Sequence, residues 1–219
     1  MNNLLQYPAS TIVDRVIPKN AFYRNANITP RMRNRFVDEL QELRWLYKLA
    51  PQSLNVERGK DIEEIEIFHA TLKQSDVPVE LLRFIDKTMP QFIVFILQYQ
   101  DRYCLFCNYK QFTTPAHDKC DIKETFASDW HTDIPSLAIQ GRSLTAIYDN
   151  FVRQIAGARL ERTEQTVSLE KQVQAMQQRD ALLKEIARLE KAIQHEAQFN
   201  RQLEMNQRLK QLRKQLEQA

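Results

Sequence analysis

Apolar residues alternate with polar ones along parts of the first 157 residues and recur every three or four positions along others. Alternation is typical of half-buried strands, and the longer spacing is typical of amphipathic helices. The pattern predicts strands over 45–49, 62–73, 92–99, 102–109 and 123–130, and helices over 11–17, 29–43, 78–87 and 143–155. These elements together predict an α+β domain with a mainly antiparallel sheet of four or five strands and flanking helices.

Particular residues mark two helix starts and one hairpin. Thr29 and Ser143 are suitable N-caps, because a hydroxyl oxygen can accept a hydrogen bond from a free backbone N–H. Pro30 fits the first helical position, where its missing N–H would have no partner. Gln100 and Asp101 separate two apolar runs, which predicts a hairpin although this turn contains no glycine.

After Gly157 the pattern becomes purely helical, without a single Gly or Pro. Heptad spacing places an apolar seam at Leu182, Ile186, Leu189, Ile193, Met205, Leu209, Leu212 and Leu216. The two halves of this seam are out of phase, which predicts either a stutter in one long helix or the bend of a helical hairpin. We therefore divide the chain into an α+β domain over 1–157 and a coiled-coil arm over 158–219.

The apolar stripe of this arm needs cover. At about 1.5 Å per residue, one continuous helix over this stretch would be roughly 80 Å long, too long to bury its stripe on the preceding domain. The other half of the arm, a second copy of the chain, or another protein could supply the cover. We expect the seam residues to carry assembly with partner proteins.

Composition excludes several enzyme classes. Only three glycines are present, and no glycine-rich dinucleotide, P-loop or nucleophile-elbow motif occurs. The net charge of +3 is too small to indicate nucleic-acid binding by itself. We predict no catalytic residues and no cofactor. The three cysteines and the lack of a signal peptide at the N-terminus predict a cytoplasmic protein.

One group of residues has the spacing of a metal site. Cys104, Cys107, His117 and Cys120 form C-x2-C followed by H-x2-C, which supplies four ligands suited to zinc. However, Cys104 and Cys107 fall within a predicted strand, where residues three apart point to opposite faces. The sequence therefore favours packed free thiols over a metal site.

A metal-dependent nuclease is the weakest of the chemical hypotheses. Asp61, Glu64 and Glu66 lie on or near the strand predicted over 62–73, and Lys73 ends it. Restriction-type cores need two acidic ligands together with an E-x-K motif to hold a divalent cation and activate water. No E-x-K occurs here, and we expect surface carboxylates on the solvent face of a sheet edge.

Arg31, Arg33 and Arg35 form a basic cluster at the start of the helix that follows Thr29. Positive charge opposes the helix dipole at this end, which is a mild indication of a phosphate partner. The alternative to the protein-assembly hypothesis is therefore a nucleic-acid-binding protein that uses these arginines. Their alternate spacing spreads them around the helix, which favours a solvated surface.

Several stretches of the chain resemble one family, and together they cover almost its whole length. The most specific are Tyr148-Asp-Asn-Phe-Val-Arg-Gln-Ile-Ala-Gly157 and Phe199-Asn-Arg-Gln202. They are similar to the bacterial domain-of-unknown-function family 4391. Members of that family are typically encoded beside DNA methyltransferases and helicases of restriction-modification or phage-defence systems. The resemblance implies a non-catalytic accessory protein of such a system, with a methyltransferase or helicase as partner.

Overall fold

The computed structural model describes residues 4–25, 28–114, 120–160 and 167–218. Within these ranges six strands form one mixed sheet in chain order: β1 (Ile12–Val16), β2 (Leu40–Leu49), β3 (Ile65–Leu72), β4 (Phe92–Tyr99), β5 (Arg102–Phe112) and β6 (Cys120–Ala127). Strands β3 and β4 are parallel, and every other neighbouring pair is antiparallel. The predicted α+β class is confirmed, but the sheet has more strands than the four or five expected.

Five helices belong to the first compact unit, which ends at Gly157: α1 (Lys19–Asn25), α2 (Pro30–Asp38), α3 (Pro51–Leu54), α4 (Val79–Lys87) and α5 (Leu144–Ala156). Helix α4 is the crossover that connects the parallel strands. The second unit begins at Ala158 and contains α6 (Leu169–His195) and α7 (Phe199–Gln218). None of the described helices has the length and apolar character needed to cross a membrane.

Several predicted elements are confirmed. The hydroxyl of Thr29 accepts a hydrogen bond from the backbone N–H of Met32 at the start of α2, and the hydroxyl of Ser143 accepts one from Ala146 at the start of α5. The β4–β5 hairpin turns at Gln100, which adopts a positive φ of 52° in place of the usual glycine. Helix α4 follows Pro78 as predicted.

Two predicted helical segments are strands instead. Residues 12–16 form β1, which pairs with β2, and Leu40 and Leu43 lie in β2 because α2 already ends at Asp38. The spacing of three between these leucines looks helical, but a bulge in β2 after Leu40 shifts the register. Both leucines consequently face the same core, opposite Leu72 and Ala70. Pairing with β3 along the strand outweighs the local helical pattern.

Helices cover both faces of the sheet. On one face, α1, α2 and α4 pack onto Phe68, Phe95 and Phe106 of the central strands through a cluster of buried side chains that includes Phe22, Phe36, Leu81, Leu82 and Ile85. On the opposite face α5 packs against β5 and β6. There the ring of Tyr148 lies 4.7 Å from that of Phe92. The sheet therefore forms the middle layer of the first unit.

A fully buried ion pair ties α4 to β5. The Nζ atom of Lys110 lies 2.7 Å from Oδ1 of Asp86, and both side chains are inaccessible to solvent. The same ammonium donates to the backbone carbonyls of Asp86, Met89 and Gln91, which end and follow the helix. Oδ2 of Asp86 accepts a hydrogen bond from Asn108 at 2.8 Å. Lys110 therefore serves as a C-terminal cap for α4 supplied by a neighbouring strand.

Candidate functional sites

A polar cavity lies on one face of the sheet, towards the carboxyl ends of the parallel strands β3 and β4. Its volume is about 510 Å³, which is within the range of small-molecule sites. One polar row crosses five strands: Asp14 of β1, Glu42 and Arg44 of β2, His69 of β3, Gln98 of β4 and Tyr103 of β5. We call this cavity the sheet-end pocket.

The register of the strands explains why these side chains meet. Arg44 pairs directly with His69, and Gln98 pairs with Tyr103. Residues in register on neighbouring strands point to the same face, so a polar residue on each strand builds a continuous polar row. The row interrupts strands that are otherwise largely apolar on both faces.

Arg44 lies between two carboxylates in the sheet-end pocket. Its Nη1 atom is 3.0 Å from Oδ1 of Asp14, and its Nε atom is 3.1 Å from Oε1 of Glu42. Hydrogen bonds to these two carboxylates raise the pKa of Arg44 above its usual value. The arrangement presents a hydrogen-bond donor flanked by acceptors, with both carboxylates reaching the guanidinium through one oxygen each.

The ring of His69 lines the pocket. Its Nε2 atom is buried and has no partner among the described residues. Burial lowers the pKa of His69, so the ring is neutral at pH 7, and a hydrogen bond with Gln98 opposes this shift. An unpaired buried polar atom costs about 1–3 kcal/mol, and Nε2 is enclosed by protein atoms rather than open to the pocket.

Asp14 has an unusual backbone conformation. Its φ is 48°, in the left-handed region, at a bulge between Ile12 and Arg15 of β1. This conformation is uncommon for a residue other than glycine, although Asp is one of the residues that tolerate it best. The bulge turns a β1 carboxylate towards Arg44. A strained residue that lines a cavity is a reason to examine that cavity for function.

Sequence reasoning missed the sheet-end pocket. The segments that carry Asp14 and Glu42 were predicted as helices, so neither residue was assigned to a sheet face. One feature of the sequence could have indicated the pocket: several apolar runs each contain a polar residue, such as His69 within Ile65–Leu72. Such a residue becomes informative only when the strand order and register are known.

The carboxylates of the nuclease hypothesis do not form an open acidic site. Glu66 is only 3% exposed, so its prediction as a surface carboxylate was wrong. Strand β3 lies between β2 and β4, in the interior of the sheet. Burial, assisted by the charge of Glu64, raises the pKa of Glu66 to about 8.

The other candidates of the nuclease hypothesis each have different surroundings. Glu64 pairs with Lys48 at 2.6 Å. Asp61 is exposed, and Lys73 donates to the carbonyl of Val37.

The proposed zinc ligands are only partly described, since His117 lies outside the described residues. Cys104 and Cys107 are buried on opposite faces of β5, where they pair with Leu97 and Val94 respectively. Burial raises the pKa of both thiols, that of Cys104 to about 11. Cys120 is half-buried at the start of β6. No metal-binding group of three or more His, Cys, Asp or Glu side chains occurs in the described part of the chain.

The arginines of the nucleic-acid hypothesis are partly engaged within the protein. Arg35 forms ion pairs with both Glu39 and Glu80. The guanidinium of Arg33 lies over the ring of Tyr23, 4.8 Å from its centre. Arg31 is highly exposed and is 4.0 Å from Glu80. The acidic partners reduce the positive potential of this surface.

The second compact unit is a helical hairpin. Helices α6 and α7 are joined by the three residues 196–198, and a connection this short makes them antiparallel neighbours. Ile186, Leu209 and Leu212 are buried in a cluster with Leu182, Leu189, Ile193 and Leu216, and Met205 is half-buried. Ion pairs of Arg208 with Glu185 and of Arg213 with Glu190 connect the two helices. The two halves of the predicted seam therefore cover each other.

Three large apolar side chains in the described part of the hairpin are exposed and outside this cluster: Leu183, Phe199 and Leu203. Phe199 is 75% exposed and Leu203 is 51% exposed. They lie four residues apart in the first turns of α7, so they share one side of the helix. We call Phe199 and Leu203 the hairpin-tip pair, because the chain reverses direction immediately before them.

Comparison with known proteins gives one match. A family model described as "Domain of unknown function (DUF4391)" matches residues 5–216. No curated protein and no solved structure matches the chain. The matched range includes both the sheet-end pocket, apart from Leu4, and the helical hairpin.

Proposed function

The chain belongs to the DUF4391 family, and on this premise we propose that it is a non-catalytic adaptor protein of a bacterial DNA restriction-modification or phage-defence system. Its partner is a DNA methyltransferase or helicase of the same system. The family resemblance supplies this context, and the geometry of the hairpin supplies the adaptor role. The observation that carries the proposal is the exposure of the hairpin-tip pair.

The hairpin does not need a partner to cover its seam, because α6 and α7 already pack against each other. Partner binding is therefore better assigned to the tip of the hairpin than to the seam. Phe199 and Leu203 present apolar surface at an i, i+4 spacing, which is how helices commonly dock into apolar grooves. We therefore assign partner docking to the hairpin-tip pair in place of the seam residues.

The energetics of exposure favour such docking. Moving a fully exposed Phe or Leu side chain into an apolar environment contributes about 1.5–3 kcal/mol. Large aromatic side chains are also common among the few residues that dominate interface energies. Phe199 therefore has the size, exposure and position of an interface anchor. The geometry offers less support for nucleic-acid binding, because Arg33 and Arg35 already have partners within the protein.

A binding experiment with purified proteins tests this proposal. The chain is mixed with the DNA methyltransferase and with the helicase of the proposed system, and complex formation is measured by light scattering and calorimetry. We expect a defined complex with one of them. The double substitution Phe199→Asp and Leu203→Asp should weaken binding by at least about a hundredfold, because two desolvated anchors would become charged.

The matched control substitutes Asn200→Asp and Gln207→Asp, two exposed polar residues of the same helix. It adds the same charge to α7 without touching the hairpin-tip pair, so binding should change little. Helical circular dichroism should be the same for all three proteins. Unchanged binding of the tip variant, or the lack of a complex with either protein, would show that the adaptor assignment is wrong.

A further inference from the structure

The sheet-end pocket has the features of a binding site, and no role in the adaptor function involves it. It combines a cavity of about 510 Å³ with polar side chains from five strands. The convergence of these side chains on one cavity is the observation that points to a ligand. The chemistry of the lining defines what kind of ligand fits.

Charge excludes phosphate groups as the main determinant of binding. The lining has two carboxylates, Asp14 and Glu42, against one guanidinium, Arg44. Both carboxylates bond Arg44, so its positive charge is already compensated, and His69 is neutral. A phosphate would meet an excess of negative charge. The pocket is also unsuited to a metal ion, since no group of three or more His, Cys, Asp or Glu ligands occurs among the described residues.

The hydrogen-bonding pattern favours a ligand with both donors and acceptors on one edge. Arg44 offers N–H donors between the carboxylate acceptors of Asp14 and Glu42. A fitting ligand therefore presents an amino group next to a carbonyl or ring nitrogen.

Nucleobases that carry an exocyclic amino group have this edge. Adenine, guanine and cytosine each place an amino donor beside an acceptor, and the side chains that read them are Arg for guanine acceptors and Asp or Glu for the cytosine amino group. Tyr103 adds an aromatic ring to the lining, the kind of surface on which unpaired bases stack. Uracil has no amino group, and its one donor on this edge, N3–H, lies between two carbonyl oxygens, so both carboxylates of the pocket would face acceptors.

We propose that the sheet-end pocket binds a single amino-bearing nucleobase, recognised through its base edge and not through a phosphate. Glu42 and Asp14 accept hydrogen bonds from the amino and ring N–H groups, and Arg44 donates to the adjacent carbonyl or ring nitrogen. The ring of His69 lines the pocket beside these groups. This site is distinct from the hairpin-tip pair and is tested independently of the adaptor function.

Nitrogen NMR of the histidine side chains in the intact protein, together with calorimetry, tests the proposal. The probes are adenosine, guanosine, cytidine and uridine. We expect at least one amino-bearing nucleoside to shift the His69 resonances and to bind at least about fivefold more tightly than uridine. Adding a 5′-phosphate to the same nucleoside should not tighten binding, because the pocket carries no uncompensated positive charge.

Substitutions identify the recognising groups. Glu42→Gln should weaken nucleoside binding by about tenfold or more, since one strong acceptor becomes a donor on one side. The matched control is Asp121→Asn, which makes the same carboxylate-to-amide change at an exposed position of β6. The His69 resonances of the unmodified protein report on the site even if a variant folds poorly. Three results would each overturn the proposal: no response to any nucleoside at millimolar concentration, equal binding of uridine, or much tighter binding of the nucleotide or of inorganic phosphate.

Discussion

Replacing Lys110 with Met should destabilise the α+β domain more than almost any other single substitution of a charged residue. The change keeps a long apolar side chain but removes the ammonium that bonds Asp86 and three backbone carbonyls at the end of α4. Asp86 would then remain fully buried with only Asn108 as a partner. Removing one member of a buried ion pair typically costs about 3–5 kcal/mol, and we expect a loss in this range.

Urea unfolding followed by tryptophan fluorescence measures this loss. Both tryptophans of the chain, Trp45 and Trp130, lie in the first unit, so their fluorescence reports on the α+β domain and not on the hairpin. The matched control is Lys123→Met, which removes an exposed lysine that is 3.3 Å from Asp121. Exposed pairs contribute about 0–1 kcal/mol, so this control should unfold nearly like the parent.

The pH dependence of the Lys110→Met variant provides a second check. Burial already raises the pKa of Asp86, and Lys110 opposes that rise. Without Lys110 the folded-state pKa should lie further above the unfolded value, so the folded state binds the additional proton. The stability deficit should therefore shrink as the pH falls and grow as it rises. A deficit below about 1 kcal/mol at pH 7, or one that does not depend on pH, would refute the assigned role of this ion pair.

Three further predictions concern other parts of the molecule. The folded-state pKa of Glu66 is about 8 against a usual value of 4.5. The free energy of unfolding of the parent should therefore fall as the pH rises between these values, by at most about 1.4 kcal/mol per pH unit. Urea unfolding at several pH values should show a flatter slope for Glu66→Gln. Leu212→Ala should destabilise the hairpin by roughly 2–5 kcal/mol. Helical circular dichroism should then be lost at a lower urea concentration, while the transition seen by tryptophan fluorescence stays where it is. A shift in both signals would contradict this prediction. Gly141→Ala should lower the melting temperature of the domain, because φ is +144° and a Cβ atom would lie 2.8 Å from the backbone nitrogen of Ile147. The comparison is Gly157→Ala, where φ is also positive, at +50°, but a Cβ has nothing within 4 Å; an equal or smaller effect at Gly141 would argue against a steric clash as the cause.

The sequence predicted those elements whose signals are local. Helix α5 has its cap at Ser143 and a continuous apolar side, and the β4–β5 hairpin consists of two apolar runs around a two-residue turn. Strand β2 was only partly predicted, because its bulge after Leu40 gives neighbouring core residues a helical spacing. Tertiary pairing decided the structure of this segment, and no window along the chain contains that information.

The sheet-end pocket lay beyond sequence reasoning for a related reason. Its residues come from five separate strands, and each stands alone in its own stretch of sequence. The prediction for Glu66 failed for the same reason. Its place in an alternating pattern indicated a solvent-exposed carboxylate, but β3 is an interior strand and Glu66 is buried. Strand order determines which alternating face is buried, and strand order is a property of the whole sheet.

The single parallel junction between β3 and β4 also has a consequence for folding. It joins two meanders, β1–β2–β3 and β4–β5–β6, in each of which every strand pairs with the next along the chain. Parallel pairing must await the closure of a crossover, which slows it relative to hairpin formation. Asp14, Glu42, Arg44 and His69 come from the first meander, whereas Gln98 and Tyr103 come from the second. A ligand of the sheet-end pocket would consequently recognise only chains in which this last step of sheet assembly is complete.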